Sequence, residues 1–287
     1  MTTTDFKSFH YLENGDVSFS MFDTIKSNKK LDAGSYKISY LEYPENRVEL
    51  KNDMDKETTK IHSFPDREKL DKLFNSFFES DILNKMKDLG FYHKTGVLLY
   101  GKEGTGKSTI LKHYYNGAID DKNALVFHVI CSSQSIKKCW DFIVNIRRIQ
   151  DNPIIIVFEE FDEQIENRNE SFIKTILDGN MSIDNCIFMA TTNYIDKIPE
   201  AMKNRPSRFK YVLNIEGIQN KDDVYLLINK LLCDLFSDEE IKVFANDLKG
   251  ETLDFIKQFC IDKIMDLKTY NPNERKSIGF TKKQYSR

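Results

Sequence analysis

The fold is decided by the stretch Gly96-Val97-Leu98-Leu99-Tyr100-Gly101-Lys102-Glu103-Gly104-Thr105-Gly106-Lys107-Ser108. Residues 97–100 are apolar, as in a short buried strand, and Ile110 and Leu111 continue the stretch as a helix would. Residues 101–108 have the spacing GxxxxGKS, a motif that needs a strand directly before it and a helix directly after it. The stretch therefore predicts a strand, a glycine-rich loop and a helix in direct succession.

The residue types in this loop predict a binding site for the phosphates of a nucleotide. Glycines let consecutive backbone amides converge on phosphate oxygens, and the N-terminus of the following helix adds a partial positive charge. In such a loop the lysine pairs with the β- and γ-phosphates, and the serine supplies a ligand for Mg²⁺. The alternative, a glycine-rich turn with a fortuitous Lys-Ser, is disfavoured by the flanking pattern. We expect ATP and Mg²⁺ to bind at Gly101, Lys102, Glu103, Gly104, Thr105, Gly106, Lys107, Ser108 and Thr109.

Two acidic residues follow a second apolar run, residues 154–158. In a P-loop fold, a buried strand beside the phosphate loop ends in an acid that reaches the magnesium shell, and a second acid polarises the attacking water. Glu159 fits the first role and Glu160 the second. A charged surface turn is the alternative, because runs of charge usually face solvent. Downstream of a good phosphate loop, that alternative is the weaker one.

From residue 96 onward, apolar runs alternate with amphipathic stretches. Short buried strands separated by helices predict an α/β fold, in which a parallel P-loop sheet is flanked by helices. The candidate strands are residues 97–100, 124–130, 154–158, 186–190 and 211–215. The candidate helices are residues 107–116, 135–149 and 169–178, preceded by a helix that starts near Ser63.

The two ends of the chain have different patterns. Alternating apolar residues and turn residues predict a small β-rich N-terminal domain over residues 1–60, with a charged linker at 53–60. Residues 61–215 form the predicted ATPase core. Residues 216–287 predict a helical unit, followed by a solvated basic tail at 271–287.

The bulk composition limits the function classes. With 42 Lys and Arg against 45 Asp and Glu, and a pI near 6.0, the chain has no overall attraction for nucleic acid. Five scattered cysteines without a CxxC pair fit a reducing compartment rather than a disulfide scaffold or a zinc site. We see no secretory signal and no apolar run long enough to span a bilayer, so we expect a cytoplasmic protein.

Taken in order, these motifs resemble those of the AAA family of ATPases. The segment Phe188-Met189-Ala190-Thr191-Thr192-Asn193 is similar to the AAA strand that ends in the sensor asparagine. The segment Arg205-Pro206-Ser207-Arg208 is similar to the family's second region of homology, and Leu177-Asp178-Gly179 also has an AAA counterpart. The resemblance covers residues 64–215, and the helical remainder resembles the AAA lid. Within the family, residues 131–153 are closest to the branch that contains the mitochondrial chaperone for the Rieske iron–sulfur protein.

The resemblance implies further site residues. Asn193 would sense the γ-phosphate and orient water, and Arg205 and Arg208 would be presented to the nucleotide of a neighbouring subunit. The alternative for the arginines is a surface patch paired with local carboxylates. The chain departs from the family at Glu159, where aspartate is commoner. It also lacks the aromatic–apolar–glycine pore loop, and Trp140 in that region is better interpreted as a core residue.

The resemblance implies an ATP hydrolase that remodels, unfolds or translocates a protein substrate as a homo-oligomer, with six subunits expected. The N-terminal domain would then contact the substrate or an adaptor. A nucleic-acid-associated ATPase, similar to a helicase loader, is an alternative that the acidic pI disfavours. A nucleotide-dependent assembly scaffold is another, disfavoured because Glu160, Asn193 and both arginines are present.

Overall fold

The computed structural model describes residues 9–11, 17–18, 27–28, 30–41, 47–53, 61, 63–129, 135–165, 169–178, 181 and 183–269. The chain divides into two units, Met1–Gly217 and Ile218–Arg287. Of the predicted linker at residues 53–60, only residue 53 is among the described residues, and the predicted basic tail at 271–287 lies outside them.

The first unit is built on one sheet. Among the described residues ten strands pair in the order β10-β6-β9-β8-β7-β4-β5-β2-β1-β3. Their bounds are β1 Phe9–Tyr11, β2 Val17–Ser18, β3 Ser27–Asn28, β4 Gly34–Leu41, β5 Arg47–Asn52, β6 Lys94–Tyr100, β7 Leu125–Val129, β8 Ile154–Phe158, β9 Cys186–Thr192 and β10 Tyr211–Asn214.

Strands β10, β6, β9, β8 and β7 are all mutually parallel, as the sequence predicts. Every residue of β7, β8 and β9 is buried, which is why these strands are mostly apolar rather than alternating, with His128 in β7 and Thr191 and Thr192 in β9 as the polar residues. The predicted α/β fold is confirmed. Because the five strands run the same way, their carboxyl ends share one edge of the sheet, where ligands bind in folds of this class.

Helices pack on both faces of this sheet. One face carries α1 and α3 against residues such as Val97 and Leu99, and the other carries α4 and α6 against Leu98. The helices of this unit are α1 Arg67–Phe77, α2 Ser80–Asp88, α3 Lys107–Lys122, α4 Ile136–Ile149, α5 Phe161–Gln164, α6 Glu170–Asp178 and α7 Glu200–Lys203.

Two predictions about individual residues can be checked on these helices. Helix α1 begins at Arg67 and not near Ser63, because Asp66 takes a left-handed conformation (φ 63°) that interrupts the helical path. Trp140, on α4, is only 2% exposed and donates a hydrogen bond from Nε1 to the backbone oxygen of Met181 at 3.1 Å. The core interpretation of Trp140 is therefore confirmed.

The N-terminal strands differ from the prediction of a separate domain over residues 1–60. Strand β4 pairs in parallel with β7, with Gly34 opposite Leu125 and Ile38 opposite Val129, so it extends the central sheet. The start of β4 is also clasped by the buried Gln150, whose side-chain amide accepts from the Leu31 N–H at 2.7 Å and donates to the Leu31 carbonyl at 3.0 Å. The boundary between the two units falls after Gly217, close to the predicted end of the ATPase core at residue 215, and no boundary between units falls near residue 60.

The second unit is helical. It contains α8 Lys221–Leu232, α9 Asp238–Asp247 and α10 Leu253–Thr269, which share a core that includes Val224, Ile241 and Ile256. Helix α9 begins with a capping box, in which Ser237 and Glu240 satisfy each other's backbone amides. None of the described helices combines the length and the hydropathy needed to cross a membrane.

Candidate nucleotide-binding site

The loop between β6 and α3 takes backbone conformations that require glycine. Gly101, Gly104 and Gly106 have φ values of 150°, 73° and 90°. A Cβ on Gly101 would lie 2.1 Å from the backbone oxygen of Ile215, so no side chain fits there. The loop therefore passes close to the backbone of Ile215 and leads into the N-terminus of α3. The first amides of a helix have no partners within the helix.

The side chains of Lys107 and Thr105 donate hydrogen bonds to backbone carbonyls within this loop. The ammonium of Lys107 donates to the carbonyl oxygens of Gly101 and Lys102, both at 2.8 Å, and the Thr105 hydroxyl donates to Lys102 O at 2.9 Å. Burial lowers the pKa of Lys107, while the nearby Glu103 carboxylate opposes that shift. Lys107 thus supplies a partly desolvated positive charge at the mouth of the loop, suited to an anionic ligand.

Ser108, the second residue of α3, meets the acidic end of β8. Its hydroxyl donates to Glu159 Oε2 at 2.9 Å, across 51 residues of sequence. The Ser108 hydroxyl and the Glu159 carboxylate both offer oxygen atoms as metal ligands, and Mg²⁺, a hard cation, binds oxygen ligands in proteins. The structure therefore brings together the two predicted metal ligands, and their chemistry fits the predicted ion.

Glu160 has an exposed side chain and a constrained backbone. It adopts φ 50° and ψ 50°, a left-handed conformation that is uncommon for a residue with a Cβ. Its N–H donates to the hydroxyl of Thr191, a buried residue of β9, at 3.3 Å. Such backbone strain persists only where the surroundings hold it, and it concentrates at functional positions.

Asn193 follows directly after β9, which lies between β6 and β8. Within the sheet, Thr192 is opposite Tyr100 and Ala190 is opposite Phe158. Asn193, the phosphate loop and the two acids therefore emerge from neighbouring strands at one edge.

The two arginines are placed differently from each other, and the prediction that both are presented to a neighbour does not fit Arg208. Arg208 is 4% exposed and donates from Nε to Asp178 Oδ1 at 2.6 Å and from one terminal nitrogen to Ala201 O at 2.6 Å; its other terminal nitrogen bonds Asp178 Oδ2. Arg208 also holds the pKa of Asp178 below its usual value, chiefly through hydrogen bonding. Arg205 is 60% exposed, with its guanidinium 3.8 Å from Asp178.

Several residues that hold the site are not among the site residues predicted from the sequence. Thr191 supports Glu160, and Asp162 accepts a 2.6 Å hydrogen bond from Thr192 directly before Asn193. The buried His128 of β7 lies beside Glu159. The sequence signal that could have identified His128, Thr191 and Thr192 is a polar residue within an otherwise apolar strand, because a polar side chain is costly to bury without a partner.

Residues 97–216 match the family described as ATPase family associated with various cellular activities (AAA). These residues form an AAA ATPase domain. The AAA domain contains the phosphate loop, both acids, Asn193 and both arginines, and an AAA domain implies nucleotide binding.

Three relatives match part of the chain at low identity. The chain is 27% identical over 180 residues to Protein CdcH of Halobacterium salinarum, which covers 56% of this chain and 23% of that protein. It is 30% identical over 152 residues to ATPase family gene 2 protein of Schizosaccharomyces pombe, covering 48% and 18%. It is 28% identical over 147 residues to Proteasome-activating nucleotidase of Saccharolobus islandicus, covering 45% and 36%.

The chain thus spans well under half the length of these relatives. Their names and the AAA domain support ATP hydrolase activity. They do not support the Rieske-chaperone branch over other AAA branches. Of the segment that suggested that branch, the structure describes residues 135–153, which are mostly α4.

Proposed function

We propose that this chain hydrolyses ATP at the phosphate loop and uses the energy, as a homo-oligomer, to remodel a protein substrate. The observation that carries the first half is the contact between Ser108 and Glu159, which joins the loop to the acidic strand end. Glu160 and Asn193 follow strands at the same edge.

Each site residue has a role in this proposal. Residues 101–109 cradle the phosphates, and Lys107 pairs with the β- and γ-phosphates. Bound Mg²⁺, held by Ser108 and Glu159, would neutralise charge on the phosphate oxygens. Glu160 takes a proton from the attacking water, and Asn193 orients that water next to the γ-phosphate.

Glu160→Gln tests the hydrolytic half of the proposal, with Glu163→Gln as the matched control. Glu163 is another acid of the same segment, three residues further along. Losing a positioned base typically lowers turnover by about 10²–10⁴-fold, and we expect that loss for Glu160→Gln with nucleotide binding retained. Glu163→Gln should turn over at the wild-type rate. Wild-type turnover no faster than that of Glu160→Gln would favour the nucleotide-dependent scaffold instead.

The position of Arg205 supports the oligomer. The backbone oxygen of Arg208 lies beside Gly96, where a Cβ would be only 2.0 Å from it. Gly96 and Gly101 are separated along β6 by five residues, or about 16 Å at ~3.3 Å per residue. Arg205, three residues before Arg208, is therefore far from its own phosphate loop and exposed. An arginine in that position acts on nucleotide only if another subunit supplies the nucleotide.

The proposed substrate class rests on the name of one relative and on the net charge of the chain. One relative is named a proteasome-activating nucleotidase, and the net charge of −3 disfavours nucleic acid. We expect an unfolded protein such as casein to raise ATP turnover and duplex DNA to leave it unchanged. DNA-stimulated turnover that is lost at higher salt would instead favour the nucleic-acid-associated alternative. Six subunits and a cytoplasmic location remain predictions, and sedimentation with ATP tests the first.

A further inference from the structure

Buried polar side chains connect strand β4, which extends the central sheet next to β7, to the candidate metal site. His128, on β7, is 7% exposed at its side chain. Its Nε2 lies 2.9 Å from Ser35 Oγ on β4, and its Nδ1 lies 3.9 Å from Glu159 Oε1. The Tyr115 ring of α3 meets the imidazole edge-on at a centroid distance of 5.2 Å. The nucleotide-binding motifs contain neither His128 nor Ser35.

The surroundings of His128 decide where its ring carries a proton. A neutral imidazole has one N–H and one lone pair. A lone pair pointed at the Glu159 carboxylate would be repelled, so the N–H belongs at Nδ1. Nε2 is then the acceptor, and the Ser35 hydroxyl donates to it.

The carboxylate of Glu159 has two different neighbours. Oε2 accepts from Ser108, and Oε1 faces His128. The 3.9 Å separation exceeds a hydrogen bond, and a movement of about 1 Å would close it. Glu159 has room for that movement because its side chain is 42% exposed. His128, in contrast, is held on two sides by Ser35 and Tyr115.

We propose that Ser35 and His128 position Glu159 for metal binding, and that β4 is thereby connected to the nucleotide site. The inference rests on the proposed role of Glu159 as a metal ligand. His128 acts through that carboxylate and is a positioning residue. Outer partners of this kind orient metal ligands, and losing one typically costs about 10–100-fold in metal affinity or activity. The N-terminal strands are then part of the support of the site as well as an extension of the sheet.

The test measures binding of a fluorescent ATP analogue in EDTA and across a Mg²⁺ titration, so that it does not depend on turnover. The variants are His128→Ala, His128→Gln and Ser35→Ala. The matched control is His93→Ala. His93 is also buried, but its Nε2 lies 2.6 Å from the backbone oxygen of Phe77. His93 directly precedes β6, so it lies at the opposite end of that strand from the phosphate loop.

We expect His128→Ala to raise the Mg²⁺ midpoint about 10-fold and to leave metal-free binding unchanged. His128→Gln, which keeps a donor and an acceptor, should recover part of the loss, and Ser35→Ala should shift the midpoint in the same direction by less. His93→Ala should lower the melting temperature without moving the midpoint. If His128→Ala does not fold, the other two variants carry the test.

An unchanged Mg²⁺ midpoint in the His128 and Ser35 variants, or an equal shift in His93→Ala, would overturn the role of His128 and Ser35 but not the proposed metal site. Nucleotide binding by the wild type with no dependence on Mg²⁺ would overturn the proposed metal site as well.

Discussion

Arg208→Ala is expected to destabilise the first unit far more than Arg205→Ala, although both side chains approach the same carboxylate. The guanidinium of Arg208 is buried and makes two hydrogen bonds to Asp178 and one to Ala201 O. Arg205 is mostly exposed, and its guanidinium is 3.8 Å from Asp178. Comparing the two variants therefore distinguishes an arginine that stabilises the fold, Arg208, from one that is exposed at the surface, Arg205.

The magnitudes follow from these contacts. A hydrogen bond to a charged group contributes about 1.5–3 kcal/mol, so the two bonds to Asp178 amount to about 3–6 kcal/mol. Asp178 is 29% exposed and regains water when Arg208 is removed, so we expect the lower end, about 3 kcal/mol. For a unit of this size that is a melting-temperature drop of about 6–12 °C. Removing an exposed pair such as that of Arg205 costs about 0–1 kcal/mol.

Fluorescence of Trp140 is a direct assay, because it is the single tryptophan and it is buried in the first unit. Thermal and urea unfolding of both variants should be followed with this signal. Arg208 depresses the pKa of Asp178, so the stability gap between wild type and Arg208→Ala should be full above about pH 4 and shrink at lower pH. Equal destabilisation by the two variants, or an unchanged melting temperature in Arg208→Ala, would refute the assignment.

Three further predictions concern the fold. Gly96→Ala places a methyl group 2.0 Å from a backbone oxygen and should cost about 1–3 kcal/mol in urea unfolding; wild-type stability would contradict the close approach of the two backbones. Gln150→Ala leaves the Leu31 N–H and carbonyl without their amide partner, so the Leu31 amide should exchange with deuterium faster; unchanged protection would contradict the clasp. In alkylation followed by mass spectrometry, the exposed Cys233 should react in the folded protein, whereas Cys186, buried with its pKa raised to about 12, should react only after unfolding.

Much of the central sheet was predictable because its information is local. Residues 154–158 are buried on both faces, so the run is apolar throughout and its bounds match β8. The glycine spacing of residues 101–106 likewise reflects the positive φ values that the loop itself requires. Such signals do not depend on which distant segment becomes a neighbour.

The remaining features depend on distant partners, which local patterns do not encode. The alternation in β4 indicates a strand, but it does not reveal that β7 is its parallel neighbour. The spacing of Arg205 and Arg208 says nothing of Asp178, 30 residues before Arg208, which draws one guanidinium inside. The role of His128 is hidden for the same reason, since its partners come from β4 and from the end of β8.

Sharing of active sites between subunits is tested most directly by mixing two inactive variants and measuring ATP turnover. Lys107→Ala lacks a working phosphate loop but keeps Arg205, and Arg205→Ala has the reverse defect. Loss of an arginine supplied in trans lowers turnover by about 10³–10⁵-fold, so each variant alone should be nearly inactive. If sites are shared, the mixture regains turnover, and wild-type turnover per subunit rises with protein concentration. An inactive mixture, together with wild-type turnover that is independent of concentration, would contradict shared sites.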